Sequence, residues 1–160
     1  MTDNRISKDM YYLGIAKSVA QRSTCLRRKY GAVVVNNDEI VSTGYNGAPR
    51  GEINCNDCGY CERDAQNVPS GERYELCRSV HGEMNAIISA SRSQMVGGTM
   101  YIVGIESKTG EYANPNPCTI CRRLIKNAGI KRVVGLVGDH AVDLDISEKR
   151  ISYPVNKERD

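Results

Sequence analysis

The sequence predicts an α/β protein of three layers, α/β/α, with a mixed sheet of about five strands between helices on both faces. Three observations carry this. The apolar pattern runs in the order α-β-β-α-β-α-β, a three-residue turn signal separates the first two strands, and later strands are joined through segments of helical period. A crossover helix sets its two strands parallel, whereas a short turn sets them antiparallel, so the sheet is mixed.

Each element has its own signal. From Ser7 to about Arg22, Tyr11, Ile15 and Val19 recur at helical spacing behind a Ser7 cap. Gly31-Ala32-Val33-Val34-Val35 and Ile40-Val41-Ser42-Thr43-Gly44 flank Asn36-Asn37-Asp38 and read as a hairpin. Residues from about 47 to 79 are rich in Gly, Asn, Asp and Cys, an irregular insertion that needs something to hold it. His81 to Arg92 reads as one buried helix around Ala86, Ile87, Ile88 and Ala90, and Met100 to Val103 as a strand. The polar excursion from Gly104 to Asn116 either borders the site or, by default, is a surface loop. Cys118 to Ala128 forms a helix closed by Gly129, followed by a strand from Lys131 to Val137. A short strand around Ile151-Ser152-Tyr153 and a frayed tail complete a single domain over residues 1–160.

Composition excludes several classes. With 26% charged residues, 40% hydrophobic residues and a net charge of +3, the chain is no polycation, and nucleic acid is not an expected partner. The amino terminus lacks an apolar signal core and no stretch approaches the roughly twenty apolar residues of a membrane span, so a cytoplasmic location is expected. Seven cysteines in a reducing compartment point to metal rather than disulfides. Arg27-Arg28-Lys29 reads as a solvated basic surface, the alternative being contact with a phosphate or a nucleic-acid backbone, and His140 as a surface histidine without ligand company.

The chemistry lies at two helix starts. A catalytic zinc takes three protein ligands and keeps one position open, and His81, Cys118 and Cys121 supply one imidazole and two thiolates. The Cys-x-x-Cys spacing sets the thiols about one turn apart, and the amides of a helix start favour thiolate. Pro117 fits the first turn, where its missing amide hydrogen costs no helix bond. Glu83, two residues from His81, reaches the same centre without being a ligand and is the expected proton shuttle.

His81-Gly82-Glu83 with Pro117-Cys118-Thr119-Ile120-Cys121 carries the His-x-Glu and Pro-Cys-x-x-Cys signature of zinc nucleobase deaminases. Further matches at Arg22-Ser23-Thr24-Cys25, Gly44-Tyr45-Asn46-Gly47-Ala48-Pro49, Met84-Asn85-Ala86-Ile87 and Asn127-Ala128-Gly129-Ile130-Lys131 make the chain resemble the deoxycytidylate deaminase family over about residues 5 to 137. The resemblance implies a cytidine deaminase-like fold, hydrolysis of dCMP to dUMP and ammonia, and an oligomer regulated by dCTP and dTTP. It makes Asn46 a substrate contact, the alternative being a turn residue, and Arg92 a phosphate contact, the alternative being an exposed helix-end arginine. Gly82 stands where the family carries alanine, which loosens the helix start.

Related deaminases also hold a second, structural zinc. Of the five remaining cysteines, Cys25, Cys55, Cys61 and Cys77 are the expected ligands, with Cys58 as alternate for Cys61; the other reading is small core residues or loose thiols. Two further functions stay open: a deaminase of another cytosine nucleoside or nucleotide or of a tRNA base, and a noncatalytic zinc-binding module, against which Glu83 argues.

Overall fold

The computed structural model describes residues 4–147, so the expected strand at Ile151-Ser152-Tyr153 and the carboxyl tail lie outside the described residues. Helix α1, Lys8–Ala20, begins at its expected cap, where Ser7 Oγ accepts the Met10 amide hydrogen at 3.1 Å. Strands β1, Arg28–Asn36, and β2, Glu39–Tyr45, form the hairpin, turning on Asn37 and Asp38 with φ of 50° and 60°. Two successive left-handed residues match the twist of the flanking strands, and Asn and Asp tolerate that conformation.

The insertion carries short helices α2, Cys55–Cys58, and α3, Glu62–Ala65, and a 3-10 turn at Tyr74–Leu76. Its base is clipped by paired backbone bonds between Gly47 and Val80, at 3.2 and 2.8 Å. Then follow α4, Gly82–Ile88, α5, Arg92–Met95, β3, Thr99–Glu106, β4, Tyr112–Ala113, α6, Thr119–Asn127, β5, Arg132–Val137, and β6, His140–Asp143. The six described strands lie in the order β2-β1-β3-β5-β6, with β4 pairing β3. Only β3 and β5 pair in parallel, across the α6 crossover.

Several expectations change. The helix expected from His81 to Arg92 stops at Ile88, because Ser91 and Gln94 form a capping box that starts α5 at Arg92. The excursion after Gly104 is a hairpin in part, since β3 runs to Glu106 and β4 folds back on Gly104 and Ile105. His140 opens the further strand β6 and is exposed as expected. Pro117 precedes the cap residue Cys118 and so sits one step outside the helix.

Strand alternation divides the core into two layers. Val33, Val35, Tyr101, Val103 and Val134 face α1, where Leu13, Ala16 and Ala20 are fully buried. Ala32, Val34, Met100, Ile102 and Val133 face the other side and pack on Ala86 and Ile125. Period-two patterning of the central strands thus covers both sheet faces with helices.

The topology also fixes where chemistry can occur. Strands β2 and β3 both run antiparallel to β1, so they are parallel to each other and the chain leaves them at the same edge of the sheet. Helices α4 and α6 begin above that edge, and β1 starts there. Gly44 lets α4 approach closely: a Cβ on it would lie 2.3 Å from both the Gly82 carbonyl oxygen and the Ala86 nitrogen. Asn85 Nδ2 donates to the Tyr45 carbonyl at 2.8 Å and Ser42 Oγ to the Ala86 carbonyl at 2.7 Å, pinning the helix. A Cβ on Gly82 would meet two carbonyl oxygens at 3.2 Å, so glycine here relieves crowding against β1 and β2.

On the far face, Asp9 ties α1 to the sheet. Arg132 donates twice to its carboxylate, at 2.9 and 2.8 Å, and Tyr101 Oη donates at 2.8 Å. The Arg132 bonds first, then the Tyr101 hydroxyl, hold the Asp9 carboxyl below its ordinary 3.8. A depressed carboxyl pKa stabilises the fold above the unfolded value and loses that contribution as pH falls through the folded value. After solvent screening of this partly exposed pair, Asp9→Asn is expected to cost about 1 kcal/mol at pH 7. Thermal unfolding of both proteins at pH 7 and below pH 4 checks this, the gap between them closing in acid.

Candidate active site

Two helix starts bring the predicted ligands together. His81 is the residue capping α4 and Cys118 the residue capping α6, where Cys118 Sγ accepts the Cys121 amide hydrogen at 3.4 Å. His81 Nδ1 lies 3.4 Å from Cys121 Sγ and 3.6 Å from Cys118 Sγ, and all three ligand atoms fall within 4.8 Å of one another. A tetrahedral zinc with bonds of about 2.0–2.1 Å to nitrogen and 2.3 Å to sulfur sets such atoms roughly 3.5 Å apart, so the donor set fits this metal.

Local electrostatics suit the same purpose. The hydrogen bond from the Cys121 thiol, followed by bonds from His81 and the Cys121 amide, outweighs burial and pushes Cys118 down to about 4. That same thiol bond, with burial, pushes Cys121 up. His81 is held above its ordinary value, first by its bond to Cys118. Glu83, in the first turn of α4, is 5% exposed, and burial pushes its carboxyl up against the opposing bond from Cys121. A carboxyl so placed can take and release a proton within a desolvated site.

A cavity of about 240 Å³ opens over this group. Asn46 lines it and is buried, with its amide largely committed. Its Oδ1 accepts from the Tyr30 amide at 2.8 Å and from Ser23 Oγ at 2.5 Å, and its Nδ2 donates to the Arg28 carbonyl at 2.9 Å. Asn46 therefore clamps the start of β1 and the loop before it to the end of β2, and one Nδ2 hydrogen remains beyond these bonds.

Arg92 is not among the cavity-lining residues. It is exposed at the start of α5, and its Nε donates to the Asn127 carbonyl at 2.9 Å. Cys25, Cys55, Cys61 and Cys77 all line the cavity, without reaching the mutual spacing of the first group. Burial, then the charges of Cys25, Cys61 and Cys77, raises the Cys55 thiol. Cys58 is exposed.

Residues without a sequence signal for the site also reach the cavity. Arg27 and Arg28, expected on a solvated surface, line the cavity because β1 begins at its edge. Asn114 and Asn116 line it as well, so the excursion after β3 borders the site; Tyr30 Oη donates to the Asn114 carbonyl at 3.0 Å. From the insertion come Arg63 and Tyr74, the latter edge-on to His81 at 5.3 Å between ring centroids. No periodicity marks either, since Arg63 sits in the one-turn helix α3 and Tyr74 in the 3-10 turn.

Residues 6–137 match the family model described as the cytidine and deoxycytidylate deaminase zinc-binding region. The chain belongs to this deaminase family. A deoxycytidylate deaminase of Mycobacterium phage D29 is 40% identical over 130 residues, covering 79% of this chain and 91% of that one. A deoxycytidylate deaminase of Schizosaccharomyces pombe is 36% identical over 130 residues; the match covers 81% of this chain but 37% of the yeast protein. Among solved structures, the dCMP deaminase of cyanophage S-TIM5 in complex with dCMP and dUMP superposes with a TM-score of 0.58 at 26% identity, covering 82% and 83% of the two chains. Among the described residues of this deaminase family member, no helix is long and apolar enough to cross a membrane.

Proposed function

We propose that this protein catalyses the zinc-dependent hydrolysis of dCMP to dUMP and ammonia. The observation that carries the reading is the buried Glu83 beside His81, Cys118 and Cys121, whose ligand atoms have zinc spacing. The relatives named deoxycytidylate deaminase and the dCMP and dUMP held by the cyanophage enzyme support the choice of substrate.

His81, Cys118 and Cys121 hold the zinc, which when bound supplies Lewis-acid polarisation and lowers the pKa of water. Glu83 takes the proton of the attacking water as its oxygen bonds to C4 of the base, and delivers a proton to the neighbouring ring nitrogen. It then takes the proton of the new C4 hydroxyl and passes it to the amine as the C4–N bond breaks, so one carboxyl serves each transfer and C4 ends as a carbonyl. Burial keeps bulk water from competing for these protons. Asn46, with its amide fixed by Tyr30 and Arg28, contacts the bound nucleoside through its remaining hydrogen.

The four thiols Cys25, Cys55, Cys61 and Cys77, with Cys58 as alternate for Cys61, hold a second, structural zinc that tethers the insertion against the site. The single domain works as a cytoplasmic homo-oligomer in pyrimidine deoxynucleotide synthesis, with dCTP and dTTP as effectors. Exposed Ile88 on α4 and Ile120 and Leu124 on α6 support association.

A panel of dCMP, CMP, deoxycytidine, cytidine, dCTP and an adenosine-bearing tRNA, followed by ammonia release, tests the substrate. The highest kcat/KM is expected for dCMP. A higher value for any other member replaces this assignment.

A further inference from the structure

We propose that Arg63, carried by the Cys-rich insertion, receives the 5′-phosphate of the substrate and sets the preference for nucleotide over nucleoside. This rests on the deaminase reading above. Arg63 is only 8% exposed and lines the catalytic cavity. Its Nη2 donates to the Pro69 carbonyl at 3.1 Å, and its guanidinium lies over the Tyr74 ring, 4.8 Å from the centroid. Its Nε is buried without any hydrogen-bond partner, and Arg63 pairs with no carboxylate of the described residues.

A guanidinium stays charged in proteins, and a buried charge left without a counter-ion is costly. Arg63 is therefore set up for an anion, and its planar fork of donors matches phosphate oxygens. Its position suits a mononucleotide. Tyr74 stacks under the guanidinium and meets His81 edge-on, so one aromatic ring separates the cation from the metal-ligand group where the base reacts. The neighbouring cations differ in kind. Arg27 is paired with Asp64 at 3.1 Å, and Arg28 with Glu106 at 2.9 Å. Both add positive potential at the cavity, and Arg27 Nη1 is likewise buried without a partner, but each of the two already has an acid; Arg63 has none among the described residues.

Arg63→Gln and Arg63→Lys are to be compared with the wild type on dCMP and deoxycytidine. Losing charge-assisted bonds to the phosphate is expected to lower the dCMP-to-deoxycytidine ratio of kcat/KM roughly 10- to 100-fold in Arg63→Gln, mainly through KM for dCMP. Arg63→Lys keeps the charge without the fork, is the gentler test of folding, and is expected to lose less. Competitive inhibition by inorganic phosphate weakens in the same order. An unchanged ratio in both variants, with the two substrates falling together or not at all, overturns the proposal and leaves Arg63 a packing residue. Calorimetric titration of the zinc-loaded proteins with inorganic phosphate separates this from the substrate assignment. If the wild type leaves dCMP intact, the function above fails, while equal phosphate affinity in wild type and Arg63→Gln independently overturns the role of Arg63.

Discussion

Glu83→Gln is expected to lower kcat for dCMP roughly 10²- to 10⁴-fold while zinc content and folding stay at wild-type levels. Gln preserves the shape of the side chain and can still hydrogen-bond, but its amide neither takes up nor releases a proton in the working pH range. Two features make the position sensitive. Glu83 lies in the first turn of a helix pinned to β2 by Asn85 and Ser42, and no other carboxylate of the described residues lines the cavity to replace it. It is also buried, with its carboxyl pushed up, so water cannot easily take over its role. Steady-state kinetics beside metal analysis makes the check. Full activity in a zinc-replete Glu83→Gln protein removes the proton-transfer role.

Loss of the catalytic metal is expected to have a comparable or larger effect. Cys121→Ser, or chelation of the wild type, should reduce turnover roughly 10³-fold or more, since several kcal/mol of transition-state stabilisation is withdrawn. In the chelated wild type, added zinc restores activity; in Cys121→Ser it does not. Because Cys121 is fully buried and bonded to both Cys118 and Glu83, the serine also leaves the His81 cluster one thiolate short. Metal content reads the second cluster in the same samples. The wild type should carry two zinc ions per chain and Cys121→Ser one; a wild-type count of one removes the site at Cys25, Cys55, Cys61 and Cys77.

Legibility in the sequence followed the range of the forces involved. The hairpin was readable because Asn37 and Asp38 impose their turn locally, and the Ser7 cap and Gly129 terminus act within one turn of helix. The metal ligands were readable because Cys118 and Cys121 share a turn and His81 and Glu83 sit two residues apart. Features set by distant parts of the chain were not. Ser91 broke the expected helix with a capping box that an apolar pattern does not reveal, and this placed Arg92 at a new helix start, bonded to Asn127. Arg27 and Arg28 read as surface charge because only the sheet topology brings the start of β1 to the carboxyl edge of β2 and β3. Arg63 and Tyr74 lie in an insertion without periodicity, and their partnership with His81 exists only once Gly47 and Val80 close its base.

The residues around His81 and Glu83 are expected to exchange the amino group of dCMP for a water oxygen. The most direct test is product analysis of dCMP incubated with the zinc-loaded protein, by chromatography and an ammonia assay, with Glu83→Gln as the control. Wild type is expected to give dUMP and ammonia in equal amounts, and the variant almost none. Recovery of unaltered dCMP from zinc-replete wild type, or equal conversion by both proteins, contradicts this chemistry.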